Sequence, residues 1–396
     1  MIRPRYLVID DLEVYGRRVL VRCDLNVPME GGEITNDFRI KAALGTIASL
    51  RERKAKVIVG SHLGRPKARE KEFSMRPIAK HLGELGGFPV QFAAGVVGPV
   101  VERKASELLP GEVLVLENTR FEPGETKNDP QLSFELARLA ELFVEDAFGS
   151  VHRAHSSTVG VAERIRSAAG PLLVAELDAL GRFVEKPESP YVVVLGGAKV
   201  SDKLGVIQNL LPKVDSMLIG GAMCFTLLKA KGFEVGKSIV ETDQLGTVAD
   251  LLERPDGNKI ELPTDVVVGD RFEEGAAVSV VGASDIKPDQ VGLDIGPKAR
   301  ERFAEVISGA ASVFWNGPMG VFEWEAFRAG TISVAQALAK CPGYTAVGGG
   351  DSAAALFILE LEGQVSHLST GGGAGLEMLE GKDLPGVAVL ARWLHG

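Results

Sequence analysis

Short apolar runs alternate with longer amphipathic stretches along most of the chain. In the N-terminal half, β-branched runs predict strands at 18–22, 56–59, 112–116 and 142–144, separated by helical patterns such as 38–53 and 131–139. In the C-terminal half, the predicted strands are 191–195, 216–219, 312–314, 344–347 and 364–368. Runs of four or five apolar residues are typical of parallel strands buried on both faces. The pattern predicts an α/β protein with two doubly wound (Rossmann-like) parallel-sheet domains, whose ligands bind beyond the carboxyl ends of the strands.

A helix bounded by prolines separates the two halves. Between Pro171 and Pro187, apolar residues fall at positions 173, 177, 180 and 184, the spacing of one helix face. A surface helix of one large domain has the same pattern, but the composition also changes here, which favours an interdomain helix and hinge. The predicted boundaries are an N-terminal domain at 1–170, the helix at 171–186, a C-terminal domain at 187–370, and a final segment at 371–396 that returns to the N-terminal domain.

Composition argues against several classes of protein. The 396 residues are 45% hydrophobic, and no apolar run approaches the roughly 18 residues of a membrane span. The start of the chain does not resemble a signal peptide, and the three cysteines lie far apart. We therefore expect a cytoplasmic protein with neither a disulfide framework nor a membrane partner. The net charge of −9 argues against nucleic acid as a partner.

Charge and glycine are divided unevenly along the chain. Residues 1–186 carry 27 basic and 26 acidic side chains, whereas residues 187–396 carry 17 and 27. Eighteen arginines lie in the first part and six in the second, while 30 of the 47 glycines lie in the second. We therefore expect the two halves to bind different ligands.

Polar and cationic residues follow each predicted strand of the N-terminal half, and one more opens the first helix: Asp24, Asn26, His62, Arg65, Arg120, Arg153 and Arg39. Guanidinium groups bind carboxylate and phosphate oxygens bidentately. Because successive strand ends meet in a doubly wound sheet, we expect one pocket for a small polyanion, with Asp24 and Asn26 binding hydroxyl groups. A lone arginine is more often a solvated surface charge, but the repetition favours the pocket. A metal site at His152 and His155 would lack an apparent third ligand.

Glycine and lysine follow the strands of the C-terminal half. The pair Gly196-Gly197 precedes Lys199 and Lys203, and other strands lead into glycines at 220–221, 348–350 and 371–373. Glycines between a strand and a helix let phosphate oxygens approach backbone N–H groups, which is nucleotide-site chemistry. We expect the two lysines, four residues apart, on one face of the following helix. Neither GxxxxGK[ST] nor GxGxxG occurs, so the common fingerprints do not apply.

Two carboxylates complete the predicted nucleotide site. Asp351 follows three glycines at an expected helix start, where it either caps the helix or holds Mg²⁺ beside a nucleotide, directly or through water. The segment 314–323 supplies apolar walls for a base and ends in Glu323, a carboxylate suited to ribose hydroxyl groups. A Pro-Gly turn between core residues is the simpler interpretation of that segment.

These stretches together resemble the phosphoglycerate kinases. The similarity runs in chain order through 22–28, 61–66, 117–121, 152–155, 196–200, 315–320, 348–352 and 369–374. Long motifs in this order are far more specific than a single glycine pattern. Ala222 stands where glycine is common in the family, and Gly375 stands where serine is common.

The resemblance implies reversible phosphoryl transfer from the acyl phosphate of 1,3-bisphosphoglycerate to Mg-ADP, giving 3-phosphoglycerate and Mg-ATP in glycolysis. The residues implied for the glycerate ligand are Asp24, Asn26, Arg39, His62, Leu63, Gly64, Arg65, Arg120 and Arg153. Those implied for the nucleotide are Gly197, Lys203, Gly292, Asn316, Glu323, Gly349, Gly350, Asp351 and Ser352, with Asp351 near Mg²⁺. Those implied around the transferring phosphoryl group are Arg39, Lys199, Lys203, Gly371, Gly372 and Gly373.

The same resemblance implies a monomer that moves during catalysis. A metaphosphate-like transition state requires cations, Mg²⁺ and oriented N–H groups more than a base or a nucleophile. Because the two ligands are expected in separate domains, the domains must close to bring them into line. The helix between Pro171 and Pro187, together with Ser369-Thr370, is the expected hinge.

Two other classes of protein share parts of the pattern. A two-domain dehydrogenase would have doubly wound halves but would require the GxGxxG motif. A non-catalytic protein that binds sugar phosphates would use the arginines but would not need Lys199, Lys203 or Asp351.

Overall fold

The chain divides into two compact units in a computed structural model that describes residues 6–395. Unit 1 comprises Met1–Asp178 with Asp383–Gly396, and unit 2 comprises Ala179–Lys382. Residues 1–5, which entered the signal-peptide prediction, lie outside the described residues. Within residues 6–395, every helix is too short or too polar to span a membrane.

Unit 1 is built around a parallel sheet. Its strands are β1 (Arg18–Arg22), β2 (Met29–Glu30), β3 (Glu33–Ile34), β4 (Lys56–Gly60), β5 (Val90–Phe92), β6 (Val113–Val115), β7 (Leu142–Glu145) and β8 (Arg166–Ala169). Its helices are α1 (Phe38–Glu52), α2 (Arg76–Gly86), α3 (Pro99–Glu107), α4 (Pro130–Arg138), the first half of α5 (Pro171–Glu185), and a short C-terminal helix at Pro385–Ala388. The six-stranded sheet has the order β5-β6-β4-β1-β7-β8, and β2 and β3 form a separate antiparallel pair.

The central strands of unit 1 are apolar because helices cover both faces of the sheet. Val19 and Val21 of β1 are completely buried, as are Val57 and Val59 of β4. The carboxyl end of β1 is in register with both neighbours, since Arg22 pairs with Gly60 of β4 and with Glu145 of β7. The loops that follow these three strands therefore start side by side at one edge of the sheet.

Unit 2 contains a second parallel sheet and a smaller antiparallel one. Its strands are β9 (Tyr191–Leu195), β10 (Ser216–Ile219), β11 (Ile260–Glu261), β12 (Asp265–Gly269), β13 (Ser279–Gly282), β14 (Val291–Ile295), β15 (Ser312–Asn316), β16 (Tyr344–Gly348) and β17 (His367–Leu368). Its helices are α6 (Leu204–Leu210), α7 (Met223–Ala230), α8 (Leu245–Glu253), α9 (Pro297–Ser308), α10 (Ala329–Lys340), α11 (Gly350–Ile358) and α12 (Gly372–Leu379). The orders are β11-β10-β9-β15-β16-β17 and β13-β12-β14.

The predicted fold class is confirmed, because each unit has a six-stranded sheet in which every neighbouring pair is parallel. In unit 2, the ends of three strands again lie in register, with Asn316 of β15 paired to Leu195 of β9 and to Gly348 of β16. The helix expected at 171–186 runs from Pro171 to Glu185. Two N–H groups of its first turn, those of Leu172 and Leu173, donate to the carboxylate of Asp146.

The sequence analysis missed β2, β3, β5 and β8 in unit 1, and it placed no strand between residues 260 and 295, where the short parallel strand β11 also lies. Three antiparallel strands lie there, β12, β13 and β14. Strand β13 is an exposed edge strand, so it lacks the continuous apolar run that marks the buried parallel strands. The last strand is also shorter than expected, since only His367–Leu368 is extended and Glu362–Gln364 forms a 3₁₀ turn.

Candidate active site

The predicted polyanion pocket lies at the switch point of the unit 1 sheet. The chain places β4 on one side of β1 and later returns to place β7 on the other side. Such a reversal leaves a crevice beyond the carboxyl ends of the strands, where open α/β sheets bind ligands. Asp24 follows β1, His62 follows β4, and His155 lies in the segment after β7.

A hydrogen-bond network joins the loops at this edge. The N–H of Gly64 donates to Oδ1 of Asn26 at 2.7 Å, and Nη1 of Arg39 donates to the carbonyl oxygen of Asn26 at 2.8 Å. The same Nη1 lies 3.4 Å from Oδ1 of Asp24. Nη1 of Arg120 donates to the carbonyl oxygen of Gly64 at 2.5 Å. Residues from four separate stretches of sequence are therefore brought together, as expected.

A buried amide that the sequence analysis did not single out holds the segment 62–64 in place. Asn118 is completely buried, and its Oδ1 accepts the N–H of Leu63 at 3.2 Å while its Nδ2 donates to the Leu63 carbonyl oxygen at 2.8 Å. Its Nδ2 also donates to the carbonyl oxygen of Phe73. Asn118 lies in the loop that follows the buried strand β6, two residues before Arg120, and its place in that loop was the available signal.

Cations surround two histidines of this pocket and keep both rings neutral. Burial, followed by the charges of Arg22, Arg120 and Arg39, holds the pKa of His62 well below its usual value. Burial and the charges of Arg22, Arg120 and Arg153 lower the pKa of His155 to about 4. Of the arginines predicted for the pocket, Arg120 thus acts on both rings, while Arg39 acts on His62 and Arg153 acts on His155.

Arg65 and Arg153 differ from the other cations because their side chains are exposed. Burial is the main reason that the pKa of Arg120 is lowered, and the charges of Arg22 and Arg65 contribute. Arg65 therefore lies close enough to Arg120 to repel it. Arg65 and Arg153 are thus exposed, whereas His62 and Asp24 are buried.

In unit 2, three loops pack against one another through their backbones. Gly197 N–H donates to the carbonyl oxygen of Pro318 at 2.9 Å, and Gly221 N–H donates to that of Met319 at 2.9 Å. Gly317 has φ of +96°, and a Cβ on it would lie 2.3 Å from the carbonyl oxygen of Gly196. Only glycine permits this approach.

Two expectations for the loop 196–203 need correction. The N–H of Gly197 is used by Pro318, so it is not oriented toward a phosphate. However, a Cβ on Gly197 would meet no protein atom within 4 Å, which leaves open space beside it. Lys199 and Lys203 do not share a helix face, because α6 begins only at Leu204. Lys199 is exposed in the preceding loop, while Lys203 occupies the N-cap position.

Lys203 connects the loop after β9 to other residues of the predicted nucleotide site. Its Nζ donates to Oδ1 of Asn316, the last residue of β15. Burial lowers the pKa of Lys203, while the nearby carboxylates of Asp202 and Asp351 act in the opposite direction. Asp351 lies in the first turn of α11. Because its charge acts on the pKa of Lys203, the predicted lysine and carboxylate lie near each other. These contacts join residues from three strand-end loops.

The N-termini of α11 and α12 lie side by side next to Lys203 and Asn316. Gly349 and Gly371 are their N-cap residues, and a Cβ built on Gly372 would lie 3.5 Å from the Cα of Gly349. Nδ2 of Asn316 would be 2.9 Å from a Cβ on Gly349. The first N–H groups of a helix have no acceptor within it and carry the positive end of its dipole. The two helix starts therefore bring together N–H groups that have no acceptor within their own helices.

Two further residues of the predicted nucleotide site lie farther along unit 2. Gly292 is in β14, where its N–H donates to Ser238 Oγ and the ring of Phe225 occupies the space of a Cβ. Glu323 is exposed in the loop after β15, and among the described residues its carboxylate makes no hydrogen bond or ion pair. The structure therefore ties Gly292 to α7 but does not join Glu323 to Lys203.

The described residues contain no group of three His, Cys, Asp or Glu side chains placed to hold a metal ion. Asp351 offers one carboxylate at a helix start. A single carboxylate fits Mg²⁺, which keeps several waters and takes phosphate oxygens as further ligands.

Comparison with known proteins identifies the family. Residues 9–382 match the family model described as phosphoglycerate kinase. This chain belongs to the phosphoglycerate kinase family. A phosphoglycerate kinase from Rubrobacter xylanophilus is 54% identical over 381 residues, covering 96% of this chain and 97% of that protein. One from Moorella thermoacetica is 50% identical over 387 residues, covering 97% and 98%. The resemblance read from the motifs is confirmed.

Solved structures agree with this family. The phosphoglycerate kinase from Coxiella burnetii has a TM-score of 0.87 at 41% identity, with 98% of this chain and 99% of that chain covered. The enzyme from Pyrococcus horikoshii has a TM-score of 0.88 at 34% identity, with 97% and 98% covered. The two-sheet architecture is thus that of the phosphoglycerate kinases.

Proposed function

We infer that this chain catalyses the reversible transfer of a phosphoryl group from the acyl phosphate of 1,3-bisphosphoglycerate to ADP, giving 3-phosphoglycerate and ATP in glycolysis. Membership of the phosphoglycerate kinase family supports the reaction. We further propose that unit 1 binds the glycerate ligand and that unit 2 binds the nucleotide. The observation that carries this division is the difference in donors, since guanidinium groups face the switch point of unit 1, whereas backbone N–H groups face that of unit 2.

The glycerate ligand carries a phosphate, a carboxyl group and a hydroxyl group, and the cavity of unit 1 offers partners for each. Arg39, Arg120 and the exposed Arg65 and Arg153 supply fixed positive charge for the anionic groups. Asp24 supplies a carboxylate that can accept from the hydroxyl group. The residues assigned to this ligand are Asp24, Asn26, Arg39, His62, Leu63, Gly64, Arg65, Arg120 and Arg153.

The nucleotide is assigned to the helix starts and to Lys203. Its phosphates would bind the first-turn N–H groups of α11, from Gly350 to Ser352, with Mg²⁺ held by Asp351 directly or through water. Bound Mg²⁺ would neutralise phosphate charge during transfer. We assign Gly197, Lys203, Gly292, Asn316, Glu323, Gly349, Gly350, Asp351 and Ser352 to this ligand.

Arg39 in unit 1 and Lys199 and Lys203 in unit 2 are the cations proposed to stabilise the transferring phosphoryl group, with the N–H groups of Gly371–Gly373. Because these groups are assigned to different units, we propose that the units close about α5 and Ser369-Thr370 when both ligands are bound. Small-angle X-ray scattering checks this step. We expect a smaller radius of gyration with 3-phosphoglycerate and Mg-ATP together than with either ligand alone, and an unchanged radius would contradict closure.

We also propose that the enzyme acts as a monomer in the cytoplasm, which follows from the family resemblance and from the composition. Light scattering after gel filtration checks the first part. A mass near 42.1 kDa is expected, and a mass twice as large would contradict it.

The reaction is tested by measuring ATP formation from ADP and 1,3-bisphosphoglycerate with the purified protein. We expect activity in the wild type and a fall of about 100-fold or more in Arg39→Ala and in Lys199→Ala, because each removes a cation from the transferring phosphoryl group. Arg17→Ala and Lys231→Ala are matched controls, since both remove exposed cations outside the proposed sites. Full activity in both site variants would overturn the residue assignment, and no activity in the wild type would overturn the reaction.

A further inference from the structure

Arg22 is a buried cation whose hydrogen-bond partners, among residues 6–395, are all neutral groups. It is the last residue of β1 and only 1% exposed. Its Nε donates to Ser157 Oγ at 2.9 Å, its Nη1 donates to the Cys23 carbonyl oxygen, and its Nη2 reaches Ser150 Oγ at 3.4 Å. A buried guanidinium group is usually paired with a carboxylate. Arg22 thus makes its hydrogen bonds to neutral groups, although its charge also acts on the buried carboxyl group of Glu145 in the neighbouring strand.

The fourth partner of Arg22 is the ring of His62. Nη2 of Arg22 lies 3.0 Å from Nδ1 of His62. A guanidinium group has only donors, so Nδ1 must be the acceptor in this hydrogen bond. A neutral imidazole carries one proton, which must therefore reside on Nε2.

The surroundings of His62 give this tautomer a consequence. An imidazole can donate from Nε2 either as the neutral Nε2–H tautomer or as the doubly protonated cation. Arg22, Arg39, Arg120 and His155 all face His62, and together with burial they lower its pKa well below the usual value. Protonation is therefore not available near neutral pH. Only the choice of tautomer decides whether Nε2 offers a proton or a lone pair to an anion.

We propose that Arg22 is a positioning residue that holds His62 as the neutral Nε2–H tautomer, so that His62 donates a hydrogen bond to an anionic oxygen of the glycerate ligand. The hydrogen bond from His62 to the glycerate ligand rests on the proposed function of unit 1. The opposite tautomer would place two N–H groups against each other at Nδ1 and would direct the Nε2 lone pair at the anion. Arg22 is not among the residues that the family resemblance assigns to the ligand.

Hydrogen bonds through Ser157 and Glu125 fix the orientation of Arg22. Ser157 accepts from Arg22 Nε and donates its own hydroxyl proton to Oε1 of Glu125, which is completely buried. Oε2 of Glu125 accepts the N–H of Ser157 at 3.1 Å. The chain of contacts from Glu125 through Ser157 to Arg22 thus orients the guanidinium toward His62. Loss of the Ser157 hydroxyl should loosen Arg22 without removing its charge.

The tautomer is tested first, by ¹⁵N NMR of the full-length, ligand-free protein at pH 7. The His62 signals are assigned by their absence in His62→Gln. We expect Nδ1 at the shift of an unprotonated nitrogen and Nε2 at that of a protonated one. Protonated Nδ1 in the wild type would overturn the proposal, whatever the activity of the enzyme.

The role of Arg22 is tested next with Arg22→Lys, which keeps the charge but cannot supply all four hydrogen bonds. We expect a mixture of His62 tautomers, a KM for 3-phosphoglycerate raised about 10-fold, and an unchanged KM for ATP. Arg18→Lys, at the other end of β1 and paired with Glu141, is the matched control and should change neither value. A mixed tautomer with an unchanged KM for 3-phosphoglycerate would overturn the role in binding.

Ser157→Ala keeps the test decisive if Arg22→Lys does not fold. It should shift the tautomer ratio and KM for 3-phosphoglycerate in the same direction by a smaller factor, and no change in either would contradict the positioning role. Failure of the proposed function is distinguishable, because the absence of phosphoryl transfer in the wild type would leave the NMR result intact.

Discussion

We propose that both units bind anions, and the two units use different groups to do so. At the switch point of unit 1, the proposed donors are the side chains of Arg39, His62 and Arg120, and hydrogen bonds through Asn26 and Gly64 link Arg39 to Arg120. At the switch point of unit 2, the donors are backbone N–H groups at the starts of α11 and α12. A site made of side chains can be changed one group at a time. A site made of backbone fails when a side chain is added.

This difference also explains where the titratable groups lie. The side-chain site of unit 1 brings His62 and His155 into a buried, cationic setting that shifts their pKa values downward. Backbone N–H groups do not titrate, so the helix starts of unit 2 keep their donors at every pH. The comparison therefore predicts distinct responses of the two units to glycine substitution, to arginine replacement and to pH.

The largest expected effect is that of Gly317→Ala. A Cβ there would meet the carbonyl oxygen of Gly196 at 2.3 Å in a backbone with φ of +96°. Because neither partner is a movable side chain, we expect a destabilisation of about 3 kcal/mol or more and loss of nucleotide affinity. Urea unfolding and calorimetry with Mg-ADP measure both. Nucleotide affinity at the wild-type level would contradict the close packing of these loops.

Arg39→Lys tests whether unit 1 needs the geometry of guanidinium or only its charge. Lysine keeps the charge, but its single ammonium group cannot donate to the Asn26 carbonyl oxygen and to a ligand oxygen in the way that the planar guanidinium group can. We expect the affinity for 3-phosphoglycerate to fall by about 1.5–3 kcal/mol, with Mg-ADP affinity unchanged. Arg51→Lys is the control and should affect only stability. Arg51 is on the same helix, but it donates to the Gly111 carbonyl oxygen and lies over the ring of Phe88. Wild-type affinity in Arg39→Lys would show that charge alone suffices.

His155→Gln tests the link between the buried side chains of unit 1 and pH. The pKa of His155 is lowered to about 4 from 6.5 by burial and by the charges of Arg22, Arg120 and Arg153. A lowered pKa of a base favours the neutral form in the folded state. The contribution of neutral His155 to the free energy of unfolding is therefore complete above pH 6.5. It is lost as pH falls toward 4, by about 2 kcal/mol for this one group. Glutamine cannot be protonated, so the variant should lose less stability over this window. Urea unfolding measures the free energy of unfolding of both proteins between pH 4 and pH 8. If this free energy changed with pH equally in the wild type and in His155→Gln, the lowered pKa of His155 would be contradicted.

The smallest effect is expected for Gly246→Ala, a glycine of unit 2 that contributes nothing to close packing. It lies in α8, and a Cβ there would meet no atom within 4 Å. Alanine loses less entropy than glycine on entering a helix, so we expect a gain of about 0.5 kcal/mol in unfolding free energy and no change in ligand affinity. A loss of stability comparable to that of Gly317→Ala would show that unit 2 rejects any added side chain.

The sequence predicted best where a local pattern decides the structure. The stretches 18–22, with three apolar residues between two arginines, and 191–195, with five apolar residues, form strands with those limits, because parallel strands buried on both faces require apolar residues. The convergence of Arg39, His62 and Arg120 followed from strand order alone, since loops at one edge of a sheet must meet. Other strands form only because they pair with residues far away in sequence. The antiparallel strand at Ser279–Gly282 is one of these, and its own residues show no apolar run that would predict it.

Within the sites, the sequence could not show which groups are already occupied. Gly197 was expected to donate to a phosphate, but its N–H is bonded to Pro318, which lies more than a hundred residues away in sequence. Spacing placed Lys199 and Lys203 on one helix, but the helix starts only after both. The roles of Arg22 and Asn118 also depend on contacts with Ser157 and Leu63 that only the fold reveals.

The most direct test of the division between the units is isothermal titration calorimetry of 3-phosphoglycerate and of Mg-ADP, each with wild type, Arg39→Ala and Lys203→Ala. Arg39→Ala should weaken binding of 3-phosphoglycerate and leave binding of Mg-ADP unchanged, because Arg39 lies beside Asp24 and donates to the Asn26 carbonyl oxygen in unit 1. Lys203→Ala should do the reverse, because Lys203 is bonded to Asn316 beside the helix starts. Equal losses for both ligands in either variant would contradict the assignment of one ligand to each unit.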